Sequence, residues 1–483
     1  MCCIVGLMSQ TSSGATTEDL SVTSTPNREP MLAGFPWVSA MILYTLSWGW
    51  SLLRPNTLYW DDWHDLFQRD KWFARDYYLS TGRPPWEGVS HAFLTPVGIW
   101  TFTYLTLVLF FVSGLLLYLI LRPTRFFIDQ DLKFVVLIFM IVPVNHARIS
   151  AVIFQYTTSY LLFFLGWFLL VRYKSTNSFV LACLILFLSF KTHSFLFFVL
   201  LPFLHFCWLN KMQLGHITTL HKRHAQLVAI ALLPISYLPL RDLFWPPSEE
   251  WASYQRPGMA GLVRWLPFSI PFLLGLLLFS WSPKFKKDIT RGFFYLWIGS
   301  GITALALLPY FLVGNFRPYA SLIAFRADWG TRHQLLMPLG LALSVVGLNE
   351  LLKWKGKNIV VSTVLVISVA LNMFWGSQYF LMSHKQEQLV ELFKTTEGKV
   401  EIASVEDQTK GFNGRGSTFR GYEWNGFMTL AGISTDRPGC EALPFGSELI
   451  LKSDTPYLKA LVTRDLGLYF DVTPCSEVLA KDG

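Results

Sequence analysis

Apolar runs of membrane-crossing length recur from residue 32 to about residue 380, and no other feature limits the possible fold as tightly. A helix needs about 20 apolar residues to cross the hydrocarbon core of a bilayer. On that basis eleven spans are expected, at 32–53, 98–121, 133–149, 152–171, 178–190, 195–209, 226–243, 262–281, 293–313, 334–352 and 359–380. Lipid offers backbone groups no partners, so a chain of this kind crosses as helices. The expected fold class is therefore an all-α polytopic membrane protein. Composition agrees, with 52% hydrophobic and only 15% charged residues and a mean hydropathy of +0.39. A soluble domain carries about 25% charged residues.

Residues 1–31 are rich in Ser and Thr and lack an apolar core with basic flanks, so they read as a cytoplasmic tail and not as a cleaved signal peptide. With that end inside, alternate loops can be checked for charge. The inside set is "RPTR" with Lys133, "VRYK", "NKMQLGHITTLHKRH", "SPKFKKDITR" and "KWKGK", each short and basic. That is the positive-inside bias. The net charge of +8 is thereby spent on orienting helices, which argues against a nucleic-acid partner. The other loops hold the acids, the histidines and most of the Pro and Gly breaks. They include "YWDDWHD", "TGRPPWEG", "NHARIS", "KTHS", "PPSEEWASYQRPG" and "FRADWGTRH". Polar chemistry is thus expected on the non-cytoplasmic face. Residues 381–483 fall on the same side and read as a small α+β unit. There Cys440 and Cys475 are a candidate disulfide pair, whereas Cys183 and Cys207 lie within spans and read as core residues.

The first outside loop, 54–97, is the densest in reactive groups. In "LYWDDWHDLFQRDKWFARDYY", helical spacing sets Trp60, Trp63 and Phe67 on one face and Asp61 and Asp65 on another. An amphipathic helix of that kind is expected to lie in the membrane interface with its carboxylates toward the bundle. Helix capping is the plainer use of Asp61 or Asp62. The pair is also a candidate for holding a hard divalent cation, Mg or Mn, through carboxylate oxygens.

Cationic groups complete the candidate site. Arg83 stands beside the rigid "RPPW" turn, and Lys191 and His193 sit in "KTHS" between two short spans. Ionisable groups and helix breaks at membrane depth point to a functional cavity. Arg317, Arg326, Arg332 and His333 precede the tenth span. Guanidinium groups bind phosphate through paired hydrogen bonds, although snorkelling interface arginines are the ordinary alternative. Glu249 and Glu250 are candidates for a second acid, with a solvated loop turn as the ordinary alternative, and Trp86 and Trp329 read as interface-belt tryptophans. No Walker A, HExxH or GxSxG motif is present, and no Cys/His set has zinc spacing.

An acidic pair in the long loop after the first span, many further spans and a C-terminal outside unit together resemble the GT-C class of integral-membrane glycosyltransferases. Within that class, "YWDDW" followed by "GRPPW" looks most like the bacterial glucosyltransferases that decorate O-antigen and other envelope glycans. The resemblance covers the first 100 residues in motif and the remainder in layout. It implies a polyprenyl-phosphate-linked sugar as donor, a glycan or lipid acceptor, and a bacterial inner membrane as the location. It also implies a first-loop carboxylate acting as base, a role that falls on Asp61, with Asp62 next. Asp65, Arg83, Trp63, Glu249 and Glu250 become acceptor or sugar contacts, while Arg332, His333, Arg326, Lys191 and His193 become donor-phosphate contacts. The contiguous acids depart from the spaced acid-x-acid of several relatives, which leaves a metal unassigned. Two other readings stay open: a polymerase or ligase of lipid-linked glycans, and a flippase or transporter, which would carry charge inside its spans.

Overall fold

The computed structural model describes residues 32–65, 73–84, 86–124, 126–209, 222–249, 258–281, 290–315, 327–352, 358–395, 402–407, 409, 419, 421–432 and 447–473. The chain is predominantly helical. Helix α1 (Trp37–Trp48) precedes a first loop holding α2 (Asp62–Asp65), α3 (Phe73–Ser80) and α4 (Trp86–Leu94). Next come α5 (Trp100–Leu121), α6 (Asp129–Ile141), α7 (Phe154–Arg172) and α8 (Thr176–Ser189). They are followed by α9 (Phe195–Phe198), α10 (Leu200–Leu209), α11 (Lys222–Phe244), α12 (Met259–Trp281) and α13 (Arg291–Leu312). Helix α14 (Met337–Leu351) and the long α15 (Ile359–Thr395) end the bundle. Each apolar run marked in the sequence overlaps one of these helices or, at 195–209, two in succession. The run expected to span 133–149 is corrected, because α6 ends at Ile141 and a turn follows, with Asn145 at a left-handed φ before the 3-10 turn His146–Ile149. Five helical segments are long and apolar enough to cross a membrane: Trp100–Thr124, Ala151–Arg172, Arg223–Phe244, Arg291–Leu312 and Ile359–Thr395.

Packing follows what the sequence allows at each contact. Helices α13 and α14 meet backbone to backbone, because small residues face each other along both. A Cβ on Gly299 would stand 2.5 Å from the Ser344 nitrogen, and one on Gly347 2.4 Å from the Leu296 nitrogen. Small residues let helix axes close when lipid supplies no hydrophobic drive. Helix α12 is tied to α13 by indole donors, Trp265 Nε1 to the Ala304 carbonyl and Trp297 Nε1 to that of Phe272, both at 2.7 Å. Prolines at 234, 239, 267, 271 and 309 sit inside α11, α12 and α13, as helices packed among other helices in a membrane tolerate. Outward faces are apolar: Ile235 on α11, Val263 on α12 and Val366 on α15 are all strongly exposed.

The C-terminal residues form the expected α+β unit. Strand β1 (Ile402–Asp407) pairs in parallel with β2 (Ser447–Ser453), which pairs antiparallel with β3 (Leu468–Thr473). Two helices, α16 (Gly421–Leu430) and α17 (Tyr457–Thr463), complete it. The unit docks on the last turns of α15, where Gln388 donates to the Arg464 carbonyl and accepts from the Leu466 amide. Cys440 and Cys475 lie outside the described residues. Cys183 is half-buried and Cys207 buried, and neither is in a disulfide.

Candidate functional site

The first loop is anchored before it reaches its acids. Arg54 pairs with Glu387 at 2.6 Å and contacts His384 at 3.1 Å, while Gln386 Nε2 donates to the Leu58 carbonyl. A tight turn then closes on itself. The Tyr59 amide donates to the Asp62 carboxylate and the Asp62 amide to the Tyr59 carbonyl, each at 3.0 Å. Inside the turn Trp60 takes a φ of 50°, which costs a bulky side chain about 1–3 kcal/mol unless packing over-determines it. Packing does so: its ring lies 5.4 Å from Trp329 and 5.8 Å from Tyr379.

The two acids part company at this turn. Asp62 is fully buried and accepts from Ser150 Oγ at 2.6 Å, the Ala151 amide at 3.0 Å and the Val152 amide at 2.9 Å, in addition to Tyr59. It does cap a helical turn, but one in a distant part of the chain, the 3-10 turn Ala151–Ile153. With four donors on its two oxygens, the carboxylate has no lone pair left for a cation, so the pair does not fit a divalent metal site. Asp61 is half-buried on the same turn. Of the expected interfacial helix the described residues hold α2 (Asp62–Asp65) and α3 (Phe73–Ser80); residues 66–72, with Phe67, lie outside them. Trp60 and Trp63 are 3% and 4% exposed and so do not lie in lipid. Trp63 instead meets the edge of Phe427 on α16, at 4.7 Å, with Gly426 against its ring. It docks the C-terminal unit and offers no face to a sugar.

The segment after α6 joins this loop to a cationic turn. Ser150, Ala151 and Val152 hold Asp62; a few residues earlier, the Asn145 amide donates to Gln334 Oε1 at 3.1 Å and the Ala147 amide to Thr331 Oγ1 at 2.9 Å. Gln334 and Thr331 belong to the 3-10 turn Trp329–Gln334, capped by Asp328, which accepts from the Gly330 amide. Arg332 lies over the Trp329 ring at 4.2 Å, and His333 stands 4.9 Å from the Tyr310 ring. Trp60 and Trp329 therefore connect the Asp61 turn directly to Arg332.

A second cationic group arrives from the other end of the first loop. Gly82, at a φ of 73°, lets the "TGRPP" turn fold onto the end of α11, where Arg241 Nε donates to its carbonyl at 2.7 Å. The Ser248 amide donates to the Ser80 carbonyl, and Trp86 packs edge-on against Trp245. Arg83 then reaches the Tyr156 hydroxyl at 3.4 Å with its guanidinium over the Tyr78 and Tyr156 rings. Burial, reinforced by Arg241 and Arg83, pushes the His193 imidazole down to about 3, so it stays neutral. Tyr310 lies beside Ser194 and within the fields of Tyr156 and Arg332.

Arg83, His193, Arg332 and His333 thus gather around Tyr156 and Tyr310, at the end of the bundle that also carries Asp61. Lys191 is buried two residues before His193. Glu249 is exposed after α11. The Asp65 side chain, Glu250, Arg317 and Arg326 lie outside the described residues. Sequence reading missed Tyr156, Tyr310 and Arg241, which sit inside helices with no local pattern to mark them. No protein-family model matches the chain, and neither does any curated protein or solved structure.

Proposed function

We propose that the protein is an integral-membrane glycosyltransferase that moves a sugar from a polyprenyl-phosphate donor to an envelope glycan or lipid on the non-cytoplasmic face. One observation carries this reading: a half-buried carboxylate and a guanidinium from opposite ends of the first loop, Asp61 and Arg83, and a second guanidinium, Arg332, from the turn before α14, stand among the aromatic residues Trp60, Trp329, Tyr156 and Tyr310. Five long helices and the shorter apolar ones make up the eleven spans, oriented by the basic loops at the opposite end.

In the proposed reaction an acceptor hydroxyl attacks the anomeric carbon from the side opposite the phosphate. Asp61 takes the hydroxyl proton as the new C–O bond forms. The bond from the anomeric carbon to the phosphate oxygen breaks, and its electron pair leaves with the lipid phosphate. Arg332 and Arg83 stabilise the charge that develops there, with the neutral imidazole of His193 as an uncharged hydrogen-bonding partner and His333 as a further hydrogen-bonding partner. The configuration at the anomeric carbon inverts. Asp62 takes no part in proton transfer; it holds the turn.

The test is a comparison of cell-envelope glycans by mass with and without the protein. A glycan lighter by one sugar in its absence supports the reading and names the sugar class. Identical glycans from both cell types count against it.

A further inference from the structure

Arg148 is 2% exposed, and its charge is met by two aromatic faces and two backbone carbonyls. Its guanidinium lies 3.9 Å from the ring centres of both Trp48 and Phe110. Nε donates to the Asn145 carbonyl at 3.0 Å and Nη2 to that of Val144 at 2.9 Å. Nη1 has no hydrogen-bond partner among the described residues, so two carbonyls and two aromatic faces hold the buried guanidinium. The carbonyls it holds belong to the turn in which Asn145 adopts a φ of 56°.

That turn is bonded to both halves of the candidate site, as is Tyr379 of α15, whose carbonyl accepts from the Tyr59 hydroxyl and whose hydroxyl donates to the Ala327 carbonyl. Toward the first loop, Ser150, Ala151 and Val152 grip Asp62, one residue from Asp61. Toward the cationic turn, Asn145 and Ala147 are held by Gln334 and Thr331, which flank Arg332 and His333.

We propose that Arg148 is a positioning residue: it sets the 144–153 turn, and through it fixes the carboxylate loop and the Arg332 turn relative to each other. It touches no reacting group. Its importance for catalysis rests on the transferase reading; its structural coupling does not, and the test needs no substrate.

The experiment is amide hydrogen exchange on the detergent-solubilised full chain. Arg148→Met removes both carbonyl bonds and the stacked charge. Exchange should rise at least about tenfold in peptides covering 58–63, 144–153 and 329–334, while 291–312 and 337–351 keep wild-type protection. Arg148→Lys keeps the charge but not the planar fork, so it should open the same three regions. Should Arg148→Met fail to fold, Phe110→Leu removes one stacking face and should open them to a smaller extent. A rise confined to 144–149, a rise shared evenly by all helices, or full protection in Arg148→Lys overturns the proposal. Failure of the envelope-glycan comparison leaves this result unaffected.

Discussion

At Trp60 the backbone turns through a left-handed φ, and the two aspartates that follow enter different surroundings. Asp62 accepts four hydrogen bonds inside the protein, so Asp62→Ala strands the Ser150 hydroxyl and three backbone amides. Unsatisfied buried groups make that worth about 3 kcal/mol or more, read as a lower melting temperature in detergent. The same residue gives a pH signature. Burial raises its carboxyl from 3.8 to about 7, against the downward pull of Ser150 and the three amides. A carboxyl with a higher pKa folded than unfolded stabilises the fold in its protonated form. Its contribution is complete below pH 3.8 and disappears as pH rises through about 7. The melting temperature of the wild type, relative to Asp62→Asn, should therefore fall between about pH 4.5 and about pH 8; a constant difference contradicts this. The sequence displays the acidic pair but not which member turns inward. The deciding partners, Ser150 to Val152, stand 88 to 90 residues away.

Helices were legible because an apolar run is a local property, although the run at 133–149 is helical only to Ile141 and five of the described helical segments are long and apolar enough to cross a membrane. The first loop was not. Helical spacing over 58–78 suggested one amphipathic helix, yet Trp60 and Trp63 find deeper burial against Trp329 and Phe427, residues far along the chain whose approach no local period encodes. The α13–α14 seam was also invisible, since glycines in apolar runs carry no signal until a facing helix is known. Gly299→Val puts side-chain carbon where the Ser344 backbone stands. Overpacking of this kind costs about 1–3 kcal/mol, seen as a lower melting temperature, whereas Ala→Val at an outward, lipid-facing site leaves it unchanged. Gly82→Ala acts on another contact: its Cβ would meet Arg241 Nη2 at 2.5 Å. It should loosen the Arg83 turn and weaken donor binding while leaving expression intact.

At the scale of the molecule, described parts of the first loop, the 144–153 turn and the 329–334 turn come together, and the C-terminal unit packs against the first of them at Trp63. A single apolar cluster runs from Trp60 and Trp63 through Trp329 and Tyr379 to Phe427 and Leu451, so the cap and the carboxylate turn share one core. Charge alternation in the sequence already separated the two sets of loops; the joining of Arg83 to Tyr156 and of His333 to Tyr310 required the fold. The orientation can be checked with cysteines introduced at exposed positions. A membrane-impermeant maleimide applied from outside should label Glu249→Cys and spare Lys174→Cys, and the reverse pattern contradicts the assigned sides. The central claim is that Asp61 removes the acceptor proton in a lipid-linked sugar transfer. Its most direct test is the rate of sugar transfer in membranes carrying wild-type protein or Asp61→Asn at equal, correctly inserted amounts. The account predicts a loss of at least about 100-fold in Asp61→Asn, the lower range for a positioned general base; transfer at the wild-type rate contradicts it.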